Sequence, residues 1–274
     1  MNTKKRDSML VLTECSIMVA LATVLSIIKI FELPYGGSIT LASMLPIVII
    51  SYRYGARVGA FSALAASLIQ MLLGLNNFSY FTTWQSVVAL AVLDYVVAFT
   101  AFGLAGIFKR KIKDQGSAMS AGAALASLLR YVCHVVSGCT VWAGLSIPTN
   151  AALIYSISYN ATYMIPETII LVLTTAYVGS ALDFSKRAPT RRVSKKHDTG
   201  ATYCYIGAGL ALLCALIADT VLVFSRLQSN ESGEFSIEGL SRVNWLAVLI
   251  ITAEGIAFSL GLVLLAKLRA KTKS

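Results

Sequence analysis

Charge is the scarcest feature of this chain. Only 13% of its 274 residues are Asp, Glu, Lys or Arg, roughly half of the ~25% that a soluble domain carries, which excludes a water-exposed globule. Histidine is rarer still. His134 lies in an apolar run and His197 in a basic stretch, so neither has the neighbours that a zinc site needs, and no metal is expected. The five cysteines (Cys15, Cys133, Cys139, Cys204, Cys214) fall inside apolar segments without CxxC or metal-ligand spacing, which leaves them as small packing residues. Catalytic signatures are missing too: no GxSxG, no HExxH, no paired intramembrane aspartates and no GxxxxGK(S/T) loop. These absences argue against an enzyme and against any cofactor. They also mean that this chain does not handle ATP, so an ATP-driven process would need partner subunits.

What the chain has is hydrophobicity, 57% of residues, with a mean hydropathy of +0.73. Apolar runs of about 20 residues recur along its length, each enough to cross a bilayer as a helix. The expected fold class is an all-α polytopic membrane protein of eight helices, near 9–31, 39–51, 58–75, 83–108, 117–142, 155–182, 201–224 and 243–268. The second is short with Pro46 in its middle, the mark of a span that borders a cavity rather than lipid. The basic N-terminal region resembles a signal peptide, but the apolar run after it is too long and lacks a cleavage site, so it reads as a retained first helix.

The net charge of +10 sits in clusters between the apolar runs: Lys4 to Arg6, Arg53 and Arg57, Lys109 to Lys113, Lys186 to Lys196, and Lys267 to Lys273. They lack the interleaved aromatics of a nucleic-acid surface. Their partner is the lipid bilayer, where basic loops remain on the cytoplasmic side. Applied to eight helices, this rule puts the N- and C-termini of a multi-pass cell-membrane protein in the cytoplasm. Composition divides the chain into a membrane domain (1–184), a basic cytoplasmic linker (185–200) and a two-helix membrane extension (201–274).

Polar residues concentrate between Leu129 and Glu167, within two otherwise apolar segments. Ionisable groups at membrane depth are expensive, and each is a candidate functional residue. Arg130, His134 and Ser137 share one face of the fifth helix, and Asn160, Tyr163 and Glu167 one stripe of the sixth, with Tyr155 at its outer end and Pro166 as a kink point. Asp94, next to Tyr95, lies ten residues past Trp84 and so about 15 Å into the fourth helix; Arg130 is expected to pair with Asp94 or with Glu167. Tyr80 and Trp84 are either interfacial anchors or the lip of a site. Glu14 reads as an interfacial or paired carboxylate, while Asp219 and Glu254 have no assigned role. Together, Trp and Tyr faces, a carboxylate, a histidine and an amide suit a flat, partly cationic heteroaromatic ligand. On helix 1, Ser16 and Ala20 form a small-xxx-small pair that lets another helix approach.

The ordered set GGSITLASMLPI (36–47), RYGARVGA (53–60), LDYVVAFTAFGLAG (93–106) and RYVCHVVSG through W, Y and YN to PE (130–167) resembles the thiamine-specific S component of energy-coupling factor transporters. The likeness covers roughly residues 9–184. It implies a six-helix S-component-like bundle carrying two additional C-terminal transmembrane helices. It also implies capture of thiamine from outside, and uptake through a membrane coupling protein and two ATPase subunits. The positions matching the family's substrate site are Asp94, Tyr95, His134, Trp142, Tyr155 and Asn160, with Trp84 and Tyr80 in its aromatic lid region. Docking to the coupling protein falls on Ser16 and Ala20. The family carries a glutamate where this chain has Asp94, one methylene shorter. Two other readings remain open: uptake of a thiamine precursor or another cationic vitamin, and a proton-coupled carrier using Asp94, Arg130, His134 and Glu167 without ATPases.

Overall fold

A computed structural model describes residues 3–147, 149–186, 188–192, 199–227 and 237–272. Parts of the expected basic linker (187 and 193–198) and of the acidic loop after the seventh expected helix (228–236) lie outside the described residues. The chain divides into two compact units, Met1–Arg192 and Val193–Ser274. Among the described residues, seven helices are long and apolar enough to cross a membrane, and Leu45–Tyr54 is a shorter apolar helix. The protein is an all-α polytopic membrane protein.

In the first unit, α1 (Thr3–Ile27) gives way to a small antiparallel hairpin, β1 (Lys29–Glu32) with β2 (Ser38–Thr40). This hairpin occupies a stretch read as the end of one helix, a turn-rich loop over 32–38 and the start of the next helix. The β-branched run Ile27, Ile28 and Ile30 favours extended backbone, and the Pro34–Gly36 turn folds it back. The strands differ in burial, since β1 is exposed throughout whereas Ile39 and Thr40 of β2 are buried. Helix α2 (Leu45–Tyr54) therefore starts later than expected, and Pro46 occupies its first turn rather than its middle. There a missing N–H costs nothing.

Gly55, with φ of 88°, breaks the chain between α2 and α3 (Ala56–Leu73). After a 3₁₀ segment, Leu75–Tyr80, α4 runs from Trp84 to Arg110. Its middle, Ala91–Val97, is wound as a π-helix. Helix α5 (Gln115–Thr140) is capped by the side chain of Asp114, and α6 (Asn150–Ala181) runs through Pro166. Close approach of α4 and α5 requires Gly122, because a Cβ there would strike the carbonyl of Ala105. A two-stranded ladder, β3 (Leu182–Asp183) with β4 (Thr190–Arg191), closes the unit. On the α1 side, Arg53 pairs with Glu14 at 2.8 Å.

The second unit is a hairpin of α7 (Thr199–Leu227) and α8 (Trp245–Thr272). Its seam is made of small residues: a Cβ on Gly255 would meet Ala215, and Cys204, Ala208, Ser259 and Ala266 are buried. Such a seam lets membrane helices pack closely. Thr252 donates to Asp219 Oδ2 at 2.6 Å across it, while Glu254 is exposed.

Candidate functional site

The site is built where α4, α5 and α6 meet. The π-helical stretch of α4 adds a residue to one turn, a deformation that often marks functional positions, and it carries Asp94 and Tyr95. The two point at different neighbours. Tyr95 accepts from Asn77 Nδ2 at 3.0 Å, and its ring stacks on Phe78 and Phe99. It anchors the 3₁₀ segment and stands outside the Asp94 network.

Asp94 is 9% exposed and faces α5. Its Oδ1 lies 2.9 Å from His134 Nδ1, and its Oδ2 accepts from Trp142 Nε1 at 3.1 Å. His134 Nε2 in turn accepts from Arg130 Nε at 3.3 Å. Only the tautomer with its proton on Nδ1 satisfies both histidine bonds. Arg130 continues the chain: its Nη1 donates to Glu167 Oε2 at 2.9 Å, and its guanidinium lies 4.4 Å from the centre of the Phe99 ring. Of the two partners open to Arg130 in the sequence, the structure selects Glu167. Thr40 of the hairpin donates to Glu167 Oε1 at 2.7 Å. The network thus runs from Trp142 to β2 through two carboxylates, one histidine and one arginine. Formally, Arg130 and Glu167 cancel, which leaves the single negative charge of Asp94.

Aromatic rings gather beside this charge. Trp142 packs against Phe81 at 4.8 Å, Tyr80 at 5.7 Å and Tyr35 at 6.1 Å between ring centres, and Tyr35 meets Tyr80 at 5.4 Å. Tyr35 adopts a left-handed backbone with φ of 66°, a conformation that is uncommon for a bulky residue and concentrates at functional sites. Tyr80 belongs to the cluster, whereas Trp84 stands at the first turn of α4, 71% exposed. The sequence reading missed Tyr35 and Phe81. The only signal for Tyr35 was its place in a Pro-Tyr-Gly-Gly turn, which does not reveal where the ring points.

Helix α6 supplies a second aromatic row. Tyr155 stacks on Tyr159 at 6.0 Å, and Tyr159 meets Tyr163 edge-on at 5.8 Å. The Tyr159 hydroxyl accepts from the Gly37 N–H at 3.2 Å, which ties this row to the hairpin turn. Asn160 is turned into the α5–α6 seam: it donates to the His134 carbonyl at 3.3 Å and to the Ser156 carbonyl at 2.9 Å, and accepts from Tyr163 at 2.7 Å. In this arrangement it holds the backbone behind His134. Gly138 permits the approach, since a Cβ there would meet Ser156. Among the described residues, no three His, Cys, Asp or Glu side chains come together as metal ligands.

Ser16 and Ala20 are both on the exposed face of α1, opposite buried Cys15, Val19 and Ala22. The Ser16 hydroxyl is turned back onto the Leu12 carbonyl at 2.9 Å. The helix therefore presents a smooth strip there.

Known proteins give this geometry a context. Residues 12–183 match the family model described as thiamine transporter protein (Thia_YuaJ). The thiamine transporter ThiT of Bacillus subtilis (strain 168) is 35% identical over 173 residues, covering 59% of this chain and 86% of the relative. The solved structure of ThiT from Listeria monocytogenes shares the fold at a TM-score of 0.51 and 22% identity, over 63% of this chain and 94% of that one. The matched region contains the whole Asp94–Glu167 network and stops before α7, and the family and its Bacillus subtilis relative are named as transporters. By the extent of the family match, this chain belongs to the thiamine transporter protein family.

Proposed function

We propose that this chain binds thiamine from the outer side of the cell membrane, as the substrate-specific subunit of an ATP-driven energy-coupling factor transporter. The observation that carries this reading is the charge balance at Asp94. Arg130 and Glu167 neutralise each other, so one negative charge remains beside the rings of Trp142, Tyr80, Phe81 and Tyr35. Thiamine complements both features, with a cationic thiazolium for the aromatic faces and an aminopyrimidine whose amino group donates to a carboxylate. Asp94 takes the aminopyrimidine, His134 and Trp142 orient that acid, and the aromatic cluster with Tyr155 encloses the rings. Asn160 serves from behind by fixing the His134 backbone, and Tyr95 by holding the 3₁₀ segment that ends in Tyr80. Trp84 is an interfacial anchor.

Energy comes from partners: a membrane coupling protein and two ATPase subunits, the coupling protein docking on the exposed Ser16–Ala20 strip of α1. The basic loops put both termini in the cytoplasm. A proton-coupled carrier is disfavoured by the network itself, because Arg130 lies between His134 and Glu167 and an arginine does not give up its proton. A neutral aminopyrimidine precursor lacks the cation that the aromatic cluster would stabilise.

Tryptophan fluorescence of the purified protein during thiamine titration tests this reading. Saturable quenching is expected, with Asp94→Asn weakening binding by about 1.5–3 kcal/mol, the range for a hydrogen bond to a charged group. A folded protein that shows no saturable change overturns thiamine as ligand, and unchanged affinity in the variant removes Asp94 from the site. Competition by the isolated pyrimidine distinguishes the precursor reading.

A further inference from the structure

Arg130 makes one of the two contacts that decide which way His134 presents its proton. Its Nε–H points at His134 Nε2 at 3.3 Å, and the other ring nitrogen, Nδ1, faces Asp94 Oδ1 at 2.9 Å. In the opposite tautomer both contacts fail together. An Nε2–H would meet the guanidinium N–H, and a bare Nδ1 lone pair would meet the carboxylate lone pair. Arginine is a permanent donor with no acceptor capacity, so it admits only one arrangement.

Its own position is fixed from two further sides. Nη1 donates to Glu167 at 2.9 Å, and the guanidinium plane lies 4.4 Å from the centre of the Phe99 ring. Glu167 is held in turn by Thr40 at 2.7 Å. From this geometry we infer that Arg130 is a positioning residue for substrate recognition: with Asp94 it imposes the Nδ1–H tautomer on His134, so that one Oδ1 lone pair of Asp94 is engaged by histidine, one Oδ2 lone pair by Trp142, and the remaining two are offered to the donors of a cationic ligand. Outer partners that fix a ring's tautomer tune the group in front of them without touching the ligand. The inference rests on the reading that the ligand's donors meet Asp94.

The test uses the full chain in lipid nanodiscs with ¹⁵N-labelled histidine, whose ring nitrogen shifts report the tautomer directly. His197 is the only other histidine, and His134→Gln assigns the signals. Arg130→Met alone strands Glu167 and can unfold the protein. The decisive variant is therefore Arg130→Met combined with Glu167→Gln, which removes the pair together, and Arg130→Lys is the rescue that retains a donor.

The wild type is expected to show a protonated Nδ1 and a bare Nε2 with or without thiamine. The folded double variant is expected to show a detectable share of the Nε2–H form beside the Nδ1–H form, since only the Asp94 contact then opposes it, and a thiamine Kd raised about tenfold, the size of one lost hydrogen bond. Arg130→Lys is expected to recover part of both. A folded double variant that keeps the single Nδ1–H form, or that binds thiamine as tightly with mixed tautomers, overturns the proposal. Because the tautomer is read without ligand, a wild type that ignores thiamine would sink the ligand assignment and still leave the role of Arg130 decided.

Discussion

Carboxylates are buried in both units of this protein, and they are served very differently. In the first, Asp94 has donors at both oxygens from His134 and Trp142, and Glu167 from Thr40 and Arg130. In the α7–α8 hairpin, Asp219 accepts one bond from Thr252, while its Oδ1 is buried without a hydrogen bond. A neutral donor on one oxygen is what interhelical hydrogen bonding in membranes requires. Four donors, one of them a guanidinium, are what it takes to keep charge in place at membrane depth. The contrast matches the reach of the family model, which covers residues 12–183 and leaves the hairpin outside.

The largest expected difference follows from removing one carboxylate from each region. Glu167→Ala leaves Arg130 buried without its ion pair, which is expected to cost about 3–5 kcal/mol of stability. Asp219→Ala deletes a single neutral-donor bond and is expected to cost less than about 1 kcal/mol. Unfolding of both variants in the same detergent measures this. Equal losses would erase the distinction between the regions.

A smaller effect sharpens the comparison at the rim of the first unit. Asp114 caps α5 by accepting from the Ser117 N–H at 2.7 Å, and chiefly this backbone bond holds its carboxyl below the ordinary value. The cap's contribution is therefore complete above the unfolded pKa of about 3.9 and is lost as pH falls through the lower folded value. Asp114→Ala is expected to cost about 1 kcal/mol near neutral pH. The gap from wild type should close under acid, and a gap that persists there would assign the loss to something other than the capping charge.

How much of this was legible in the sequence depended on whether periodicity could report it. Apolar runs of bilayer length identified the long helices, and the i, i+4 spacing of Arg130 and His134 put both on one face. Two things were hidden. The hairpin at 29–40 is short, and its isoleucines also suit an apolar helix, so the turn at 32–38 was legible while the strands on either side were read as helix ends. The choice of Glu167 over Asp94 as partner of Arg130 depends on how α4, α5 and α6 cross, a tertiary fact that no local pattern carries. The same limit applied to Tyr95, which faces away from Asp94 because successive side chains on a helix point in different directions, and to Tyr35, brought to Trp142 by a left-handed turn.

The smallest expected effect tests the hairpin's half of the comparison. Thr252→Val removes the hydroxyl that bridges α7 and α8 while preserving side-chain shape, so it isolates the bond from the packing of Gly255 against Ala215. In membranes such bonds average about 0.6 kcal/mol, because separated helices find other partners for their polar groups. A loss of that size in hairpin stability, with thiamine affinity unchanged, is expected. Asp219→Asn should be milder still, since the amide oxygen accepts from Thr252 just as the carboxylate does. If Thr252→Val instead weakened thiamine binding tenfold, Asp219 would no longer be simple helix glue. The Thr252–Asp219 contact would then belong to the same functional system as the four-donor network of the first unit.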